Sequence, residues 1–381
     1  MKEVKMLNMK KWLSIIVLGI LVVGSFNFVG CKKEEKVIKI GAILPLTGRQ
    51  AFLGTSIKNG LLLAEKEINS SRKAQEPKIE LLFEDSKGEP KEAVASINKL
   101  INIDKVKVIF AHLSTVNEAI LPIVKASKVL HIAFVMDPDF AAKNRHTFTI
   151  FPTSGQEAKK MVSYILKEGI KRVGIIYARS TSHEQAINRY LVPMLSEKKI
   201  EIVGVESFEP QKKDIKNQLL KLKAKLPEVL IVFVYPTHLD MFYKQMKEIG
   251  LLGKTKILGN MSVALVTTTK VSKEDMESTI FTAPVYYMVQ SGKIKEFERN
   301  YKANFGRPPE ITTAAFAYDA LHIVYNAMKD SKGNVEKASA QLATLKEYEG
   351  ITGPLSIDTD RNALIDMRLG IIRDGKRMLL E

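Results

Sequence analysis

The sequence predicts an α/β protein built as two doubly wound parallel-sheet lobes. Three observations carry that expectation. Apolar runs of strand length are β-branched or aliphatic nearly throughout, as in residues 37–44 and 229–235, the pattern of strands buried on both faces. Between the runs, apolar residues recur at three- and four-residue steps, the period of amphipathic helices. The alternation then restarts at Arg172, so two successive sets of strands and helices follow one another.

The elements read in order as follows. Residues 37–44 form a strand, followed by a helix carrying Ile57, Leu61, Ala64 and Ile68. A strand at 79–83 precedes a helix opened by Pro90, with Val94, Ile97 and Ile101 on its apolar face. A strand at 106–111, a helix with Val116, Ile120 and Val124, and a strand at 129–135 complete the first set. Strands at 172–178, 200–207, 229–235 and 256–259 belong to the second. Thr115-x-x-Glu118, Ser154-x-x-Glu157 and Ser182-x-x-Gln185 read as capping boxes that satisfy free backbone donors. Gly169 and Gly250 stand where helices should stop.

The only cysteine, Cys31, directly follows an apolar run. Lys2, Lys5, Lys10 and Lys11 make a basic region, residues 12–23 an apolar one, and Gly30 precedes the thiol. This is the layout of a secretory signal. It resembles a bacterial lipoprotein signal, in which the cysteine is lipidated and becomes the first residue, with Phe28 here in place of the usual leucine. An uncleaved anchor is the alternative, since residues 12–29 approach the roughly 20 apolar residues of a spanning helix. Ser25, Asn27 and two glycines interrupt that run. Residues 1–30 are therefore expected to be a signal peptide and 31–36 a charged tether. What remains, roughly 350 residues, exceeds the size at which one core keeps growing. With no second cysteine, burial alone must hold the fold.

Net charge is +16. The lysines are scattered along helices and interleaved with glutamate, as in Lys244-Gln245-Met246-Lys247-Glu248. A solvated, lysine-rich surface accounts for that spacing, with attraction to a membrane surface next, and no nucleic-acid partner is expected. No G-x-S-x-G, H-E-x-x-H or G-x-G-x-x-G occurs, and none of the six histidines pairs at metal-ligand spacing. Neither an enzyme, a metal site nor a cofactor is expected. Gly250 to Thr255 has two residues between its glycines and joins a helix to a strand, so it is a turn and not a phosphate loop. His112, just after a strand, has no evident oriented partner and reads as structural or ligand-contacting.

In open parallel sheets ligands bind in the crevice outside the carboxyl ends of the strands. Those ends are 45–52, 112–115, 134–137, 178–182, 235–237 and 260–261. Ser114 and Thr115 begin a helix, so they either hold a carboxylate with the adjacent N–H groups or serve only as caps.

Residues 39–48, Lys39-Ile40-Gly41-Ala42-Ile43-Leu44-Pro45-Leu46-Thr47-Gly48, are followed by Gly54 and then by a helix ending Glu67-Ile68-Asn69. With Phe83-Glu84-Asp85, Ala317-Tyr318-Asp319-Ala320 and Gly350-Ile351-Thr352-Gly353-Pro354-Leu355, they make the chain similar to type I periplasmic binding proteins. Within that group it most resembles the leucine/isoleucine/valine-binding family that feeds ABC transporters. The resemblance implies two lobes joined by three crossovers, placed near Phe151, Pro284 and Gly353. Lobe 1 would be 37–150 plus 284–352, and lobe 2 would be 151–283 plus 353–381. It implies carboxylate-binding hydroxyls at Ser114 and Thr115 and an aromatic contact at Tyr235. Phe52 lies at another of the strand ends where a ligand would sit.

Other positions depart from the family pattern: Asp137 where Ser or Thr is usual, Ser182 where many have Tyr, and Met261 at the acid that receives the ligand ammonium. Either Asp137 supplies the missing charge, or Phe134, Val135, Met136 and Met261 form an apolar pocket for a different small compound. The expectation is a lipid-anchored, extracytoplasmic solute-binding protein that captures an amino acid or related compound for an ABC permease. The alternative is a ligand-sensing subunit of the same fold that signals to a membrane partner. A tethered hydrolase would need a nucleophile, a base and an oxyanion site that the sequence does not offer.

Overall fold

The computed structural model describes residues 36–309 and 311–380. Cys31, the apolar run before it and most of the tether lie outside these residues. Among the described residues no helix is long and apolar enough to cross a membrane.

The first sheet runs β1 (Val37–Leu44), β2 (Lys78–Asp85), β3 (Val108–His112), β4 (Leu130–Phe134) and β5 (Thr147–Thr149) in spatial order β2-β1-β3-β4-β5. All its pairings are parallel. The second contains β6 (Arg172–Ala178), β7 (Glu201–Phe208), β8 (Val229–Phe233), β9 (Lys256–Gly259) and β10 (Ile280–Pro284). Their order, β7-β6-β8-β9-β10, repeats that of the first sheet. Each sheet therefore reverses its winding once, between β1 and β3 and between β6 and β8, which is where an open α/β sheet presents a crevice.

Both sheets are covered on both faces, which is why their strands read as continuous apolar runs. Ile40, Ala42 and Leu44 of β1 face one core with Phe110, Phe134 and Phe316. Ile43 faces another with Ile97, Leu100 and Ile120. In the second sheet, Ile176 and Val232 meet Phe242 and Tyr243 on one face, and Ile175 and Ile231 meet Met161 and Ile187 on the other. The helix Ala51–Ser71 lies so close to Thr313–Asp330 that a Cβ at Gly60 would stand 2.1 Å from the Ala314 carbonyl oxygen.

The carboxy-terminal strands are short and antiparallel. β11 (Tyr348–Gly350), β12 (Gly353–Ile357) and β13 (Ala363–Ile365) form a small third sheet, while β14 (Met367–Arg373) and β15 (Lys376–Leu379) extend the second. Leu355, Ile357, Ala363 and Ile365 enter the core of the first sheet, as does Met367 at the start of β14, while β14 pairs with β10 of the second.

Two of the expected capping boxes are displaced. Thr153 and Gln156, one residue before the expected pair, cap the helix Ser154–Lys167. Ser180, not Ser182, accepts the His183 N–H at 3.1 Å. The third does not form: no side chain caps Ser114–Ser127, and Glu118 pairs with Lys143 instead.

Candidate functional site

A cavity of about 150 Å³ lies against the carboxyl ends of both sheets. From the first sheet come Gln50, Phe52 and Leu53 after β1, His112 to Ser114 at β3, and Phe134 to Met136 at β4. From the second come Ser182 and His183 after β6, Tyr235 and Pro236 after β8, and Asn260 to Ser262 with Leu265 after β9. Phe151, Tyr287 and residues 311–313 close the wall. No Asp, Glu, Lys or Arg is among these lining residues.

Of the residues expected from the sequence, Phe52, Ser114, Phe134, Met136, Ser182, Tyr235 and Met261 stand on this wall. Thr115 does not: it is exposed, in the first turn of the helix Ser114–Ser127. Asp137 does not either. It turns away after Met136, accepts the Asp139 N–H at 3.1 Å, and lies 3.7 Å from an Arg189 nitrogen. The Met136 carbonyl is held by the Ser154 N–H at 2.8 Å, which fixes that turn.

The start of the helix Ser114–Ser127 is set by strain. Leu113 precedes it at φ 75° and ψ 135°, a conformation that costs a side-chain-bearing residue free energy. Ser114 thereby opens the helix at the cavity wall, where uncapped N–H groups and the helix dipole favour an anion.

Two histidines face the cavity, one from each sheet, and both are neutral. His112 Nδ1 lies 2.9 Å from the Phe134 carbonyl oxygen, and burial pushes its pKa down to about 4. Its Nε2 is buried without a hydrogen-bond partner. His183 Nδ1 lies 2.8 Å from the Ala178 carbonyl oxygen, and burial lowers its pKa to about 4 too. The His183 ring stacks on Tyr235 with centroids 4.8 Å apart.

Behind the wall sits Glu157. Its Oε1 accepts the Met261 N–H and the Thr282 hydroxyl, both at 2.7 Å, and Oε2 is buried without a partner. Desolvation pushes this carboxyl up to about 7. Asn260 is tied to the end of β8 by its side chain, donating to the Val234 carbonyl at 3.3 Å, and so sets where Met261 begins.

His183, Gln50, Tyr287 and residues 311–313 were not among the expected site residues. His183 lies one residue beyond the strand-end segment 178–182, within reach of that signal. Tyr287 and 311–313 arrive on the passage after β10 and at a helix start, for which strand ends give no signal.

The family model for periplasmic binding proteins matches residues 37–376. A leucine/isoleucine/valine-binding protein homolog of Brucella melitensis is 26% identical over 249 residues, 64% of this chain and 67% of its own. The branched-chain amino acid transporter substrate-binding protein LivJ of Streptococcus pneumoniae, solved with isoleucine, superposes with a TM-score of 0.76 at 25% identity, covering 90% of this chain and 98% of its own. A solute-binding protein of an ABC transporter from Rhodopseudomonas palustris, solved with 3,4-dihydroxybenzoic acid, has the same fold, with a TM-score of 0.78 at 24% identity over 90% of this chain and 95% of its own.

Proposed function

Because the chain belongs to the periplasmic binding protein family, in its type I, leucine/isoleucine/valine-binding group, we propose that its ligand is a small organic acid without an ammonium group. The acid is aromatic or branched aliphatic, captured between two lobes and passed to an ABC permease. The absence of any carboxylate among the described residues of the cavity wall carries this reading.

An α-amino acid brings a cation into a dry site, and leaving it there without an anionic partner costs several kcal/mol. Met261 occupies the position at which the sequence resemblance places the acid. Asp137 is turned toward Arg189, and Glu157 lies behind the Met261 backbone with one oxygen already bonded twice. None of the three supplies a counter-charge to the cavity. The ligand's own carboxylate has a receptor in Ser114 and the N–H groups that begin its helix. Phe52, Phe134, Met136, Tyr235, Met261 and Leu265 supply the apolar surround. A volume of about 150 Å³ suits a single ring or a short branched chain.

In this reading the lobes pivot on the passages near Phe151, Pro284 and Ile365 and close over the ligand by hinge motion. Cys31 carries the lipid that tethers the protein outside the cytoplasm, beside its permease. A thermal-shift panel of amino acids, aromatic acids and branched aliphatic acids tests the ligand class, because a ligand bound only by the native state raises the melting temperature with concentration. Stabilisation by the acids alone supports the reading, and stabilisation by amino acids alone overturns it.

A further inference from the structure

We propose that His112 and His183 receive a hydrogen-bond donor of the ligand, so that the preferred acid carries a hydroxyl or amide N–H besides its carboxylate. This rests on the reading above that an organic acid occupies the cavity.

A backbone carbonyl oxygen only accepts, so an imidazole nitrogen 2.9 Å from the Phe134 oxygen must carry the hydrogen. The same holds for His183 at 2.8 Å from the Ala178 oxygen. In the neutral ring the second nitrogen is then a bare lone pair. His112 is only 7% exposed, and its Nε2 has no partner in the protein. Protonating that nitrogen would bury a cation among Phe134, Phe151 and Met136 with no carboxylate among the described wall residues, at a large desolvation cost. His112 and His183 thus line the cavity from opposite sheets, and the His112 Nε2 is an acceptor buried without a partner.

An acceptor with no protein donor is costly to leave unmade. A ligand that brings an O–H or N–H satisfies it, whereas a purely apolar ring leaves it bare. Sites built this way discriminate sharply against the analogue that lacks the donor. The carboxylate belongs at Ser114, where donors cluster, and the ligand donor belongs at the histidines. The two ends of the ligand are thereby told apart.

The test is calorimetric titration of the purified protein with matched pairs. The probes are benzoate against 3- and 4-hydroxybenzoate and their methoxy counterparts, and 4-methylpentanoate against 2-hydroxy-4-methylpentanoate. At least one hydroxylated acid should bind about tenfold to hundredfold more tightly than its partner without the hydroxyl, with the methoxy compound showing no such gain. In His112→Phe that ratio should fall toward one while the parent acid still binds. His112→Gln, which still offers an acceptor oxygen, should keep part of the preference, which separates lost recognition from lost folding. Binding in buffers of different ionisation enthalpy should show no proton uptake.

Equal binding of hydroxy, methoxy and parent acids would overturn the proposal while leaving the organic-acid reading intact. So would a preference that survives both His112→Phe and His183→Phe, or uptake of a proton on binding. If no acid binds but leucine does, the organic-acid reading itself falls, and the proposal with it.

Discussion

Arg189 reaches from the second sheet's unit to Asp137, which follows β4 of the first, with 3.7 Å between Nη1 and Oδ1. Its other terminal nitrogen bonds the Asp139 carboxylate. Arg189 lies on a π-helical stretch, Ala186–Leu191, a local irregularity common at functional positions. The pair explains why Asp137 is not a cavity residue: its charge is engaged in a bridge between the two halves.

Such a bridge would hold the closed form without touching the ligand. Arg189 and Asp139 are each about half exposed, so the pair is worth about 0.2–1 kcal/mol. Arg189→Ala should weaken ligand binding by roughly 1.4- to fivefold, with the difference shrinking at high salt. Calorimetry of a binding acid at low and high ionic strength checks this. Asp137→Asn should leave binding of the acid largely intact, and loss of binding would return Asp137 to the ligand.

Ser114 should contribute a charge-assisted hydrogen bond to the ligand carboxylate, worth about 1.5–3 kcal/mol. Ser114→Ala should therefore weaken binding by about tenfold or more, while Thr115→Ala, at an exposed position, should change it little. Equal effects of the two would contradict the placement of the carboxylate.

The buried titratable groups predict a particular dependence on pH. Burial raises Glu157 to about 7 and Asp319 to about 6, so at intermediate pH the folded state keeps protons that the unfolded chain has lost. Their contribution falls as pH rises through that range. His112 and His183 are lowered to about 4 and His131 to about 3, so the unfolded chain holds protons there that the folded state lacks, up to about pH 6.5. Their contribution rises with pH. The three histidines outweigh the two carboxyls, and the melting temperature should climb from pH 4 toward 6.5. Glu157→Gln removes one falling contribution, so its melting temperature relative to the unaltered protein should increase between pH 5 and 7.5. Parallel curves would show that Glu157 does not titrate in this range.

Asp319 accounts for two of the sequence motifs at once. Its carboxylate accepts the Ile351 N–H at 3.0 Å, the Thr352 N–H at 2.9 Å and the Thr352 hydroxyl at 2.6 Å. The segments 317–320 and 350–355 are thus the two sides of one clamp. Asp319→Asn would set an NH₂ group against donors, and should destabilise the fold by about 1–3 kcal/mol, measurable by urea unfolding, with a smaller effect on ligand affinity.

What was legible in the sequence follows from burial. The central strands, β1, β3, β4, β6, β8 and β9, are covered on both faces and so are written as apolar runs, while the edge strands β2 and β7 are only half-buried. β5, β11 and β13 are three residues long, and β14, though seven residues long, is interrupted by Arg368 and Gly370 and pairs antiparallel, so no unbroken apolar run marks them. Capping was misplaced where hydroxyls are neighbours, as with Thr153 beside Ser154, because spacing alone cannot choose between them. The site was legible as strand ends, but not in orientation. Asp137 and Met136 are adjacent, and only the turn after β4 decides which one faces the ligand. His183 lay one residue past a strand-end segment, but its tautomer is set by a carbonyl five residues away in the chain, Ala178, which spacing alone does not reveal.

The most direct test is the relative affinity of the purified protein for leucine and for 4-methylpentanoate, its counterpart without the amine. The two share chain shape and carboxylate and differ in the ammonium alone. A wall whose described residues include no carboxylate predicts that 4-methylpentanoate binds the more tightly. Tighter binding of leucine would mean that an anionic partner reaches the cavity, and would contradict the account.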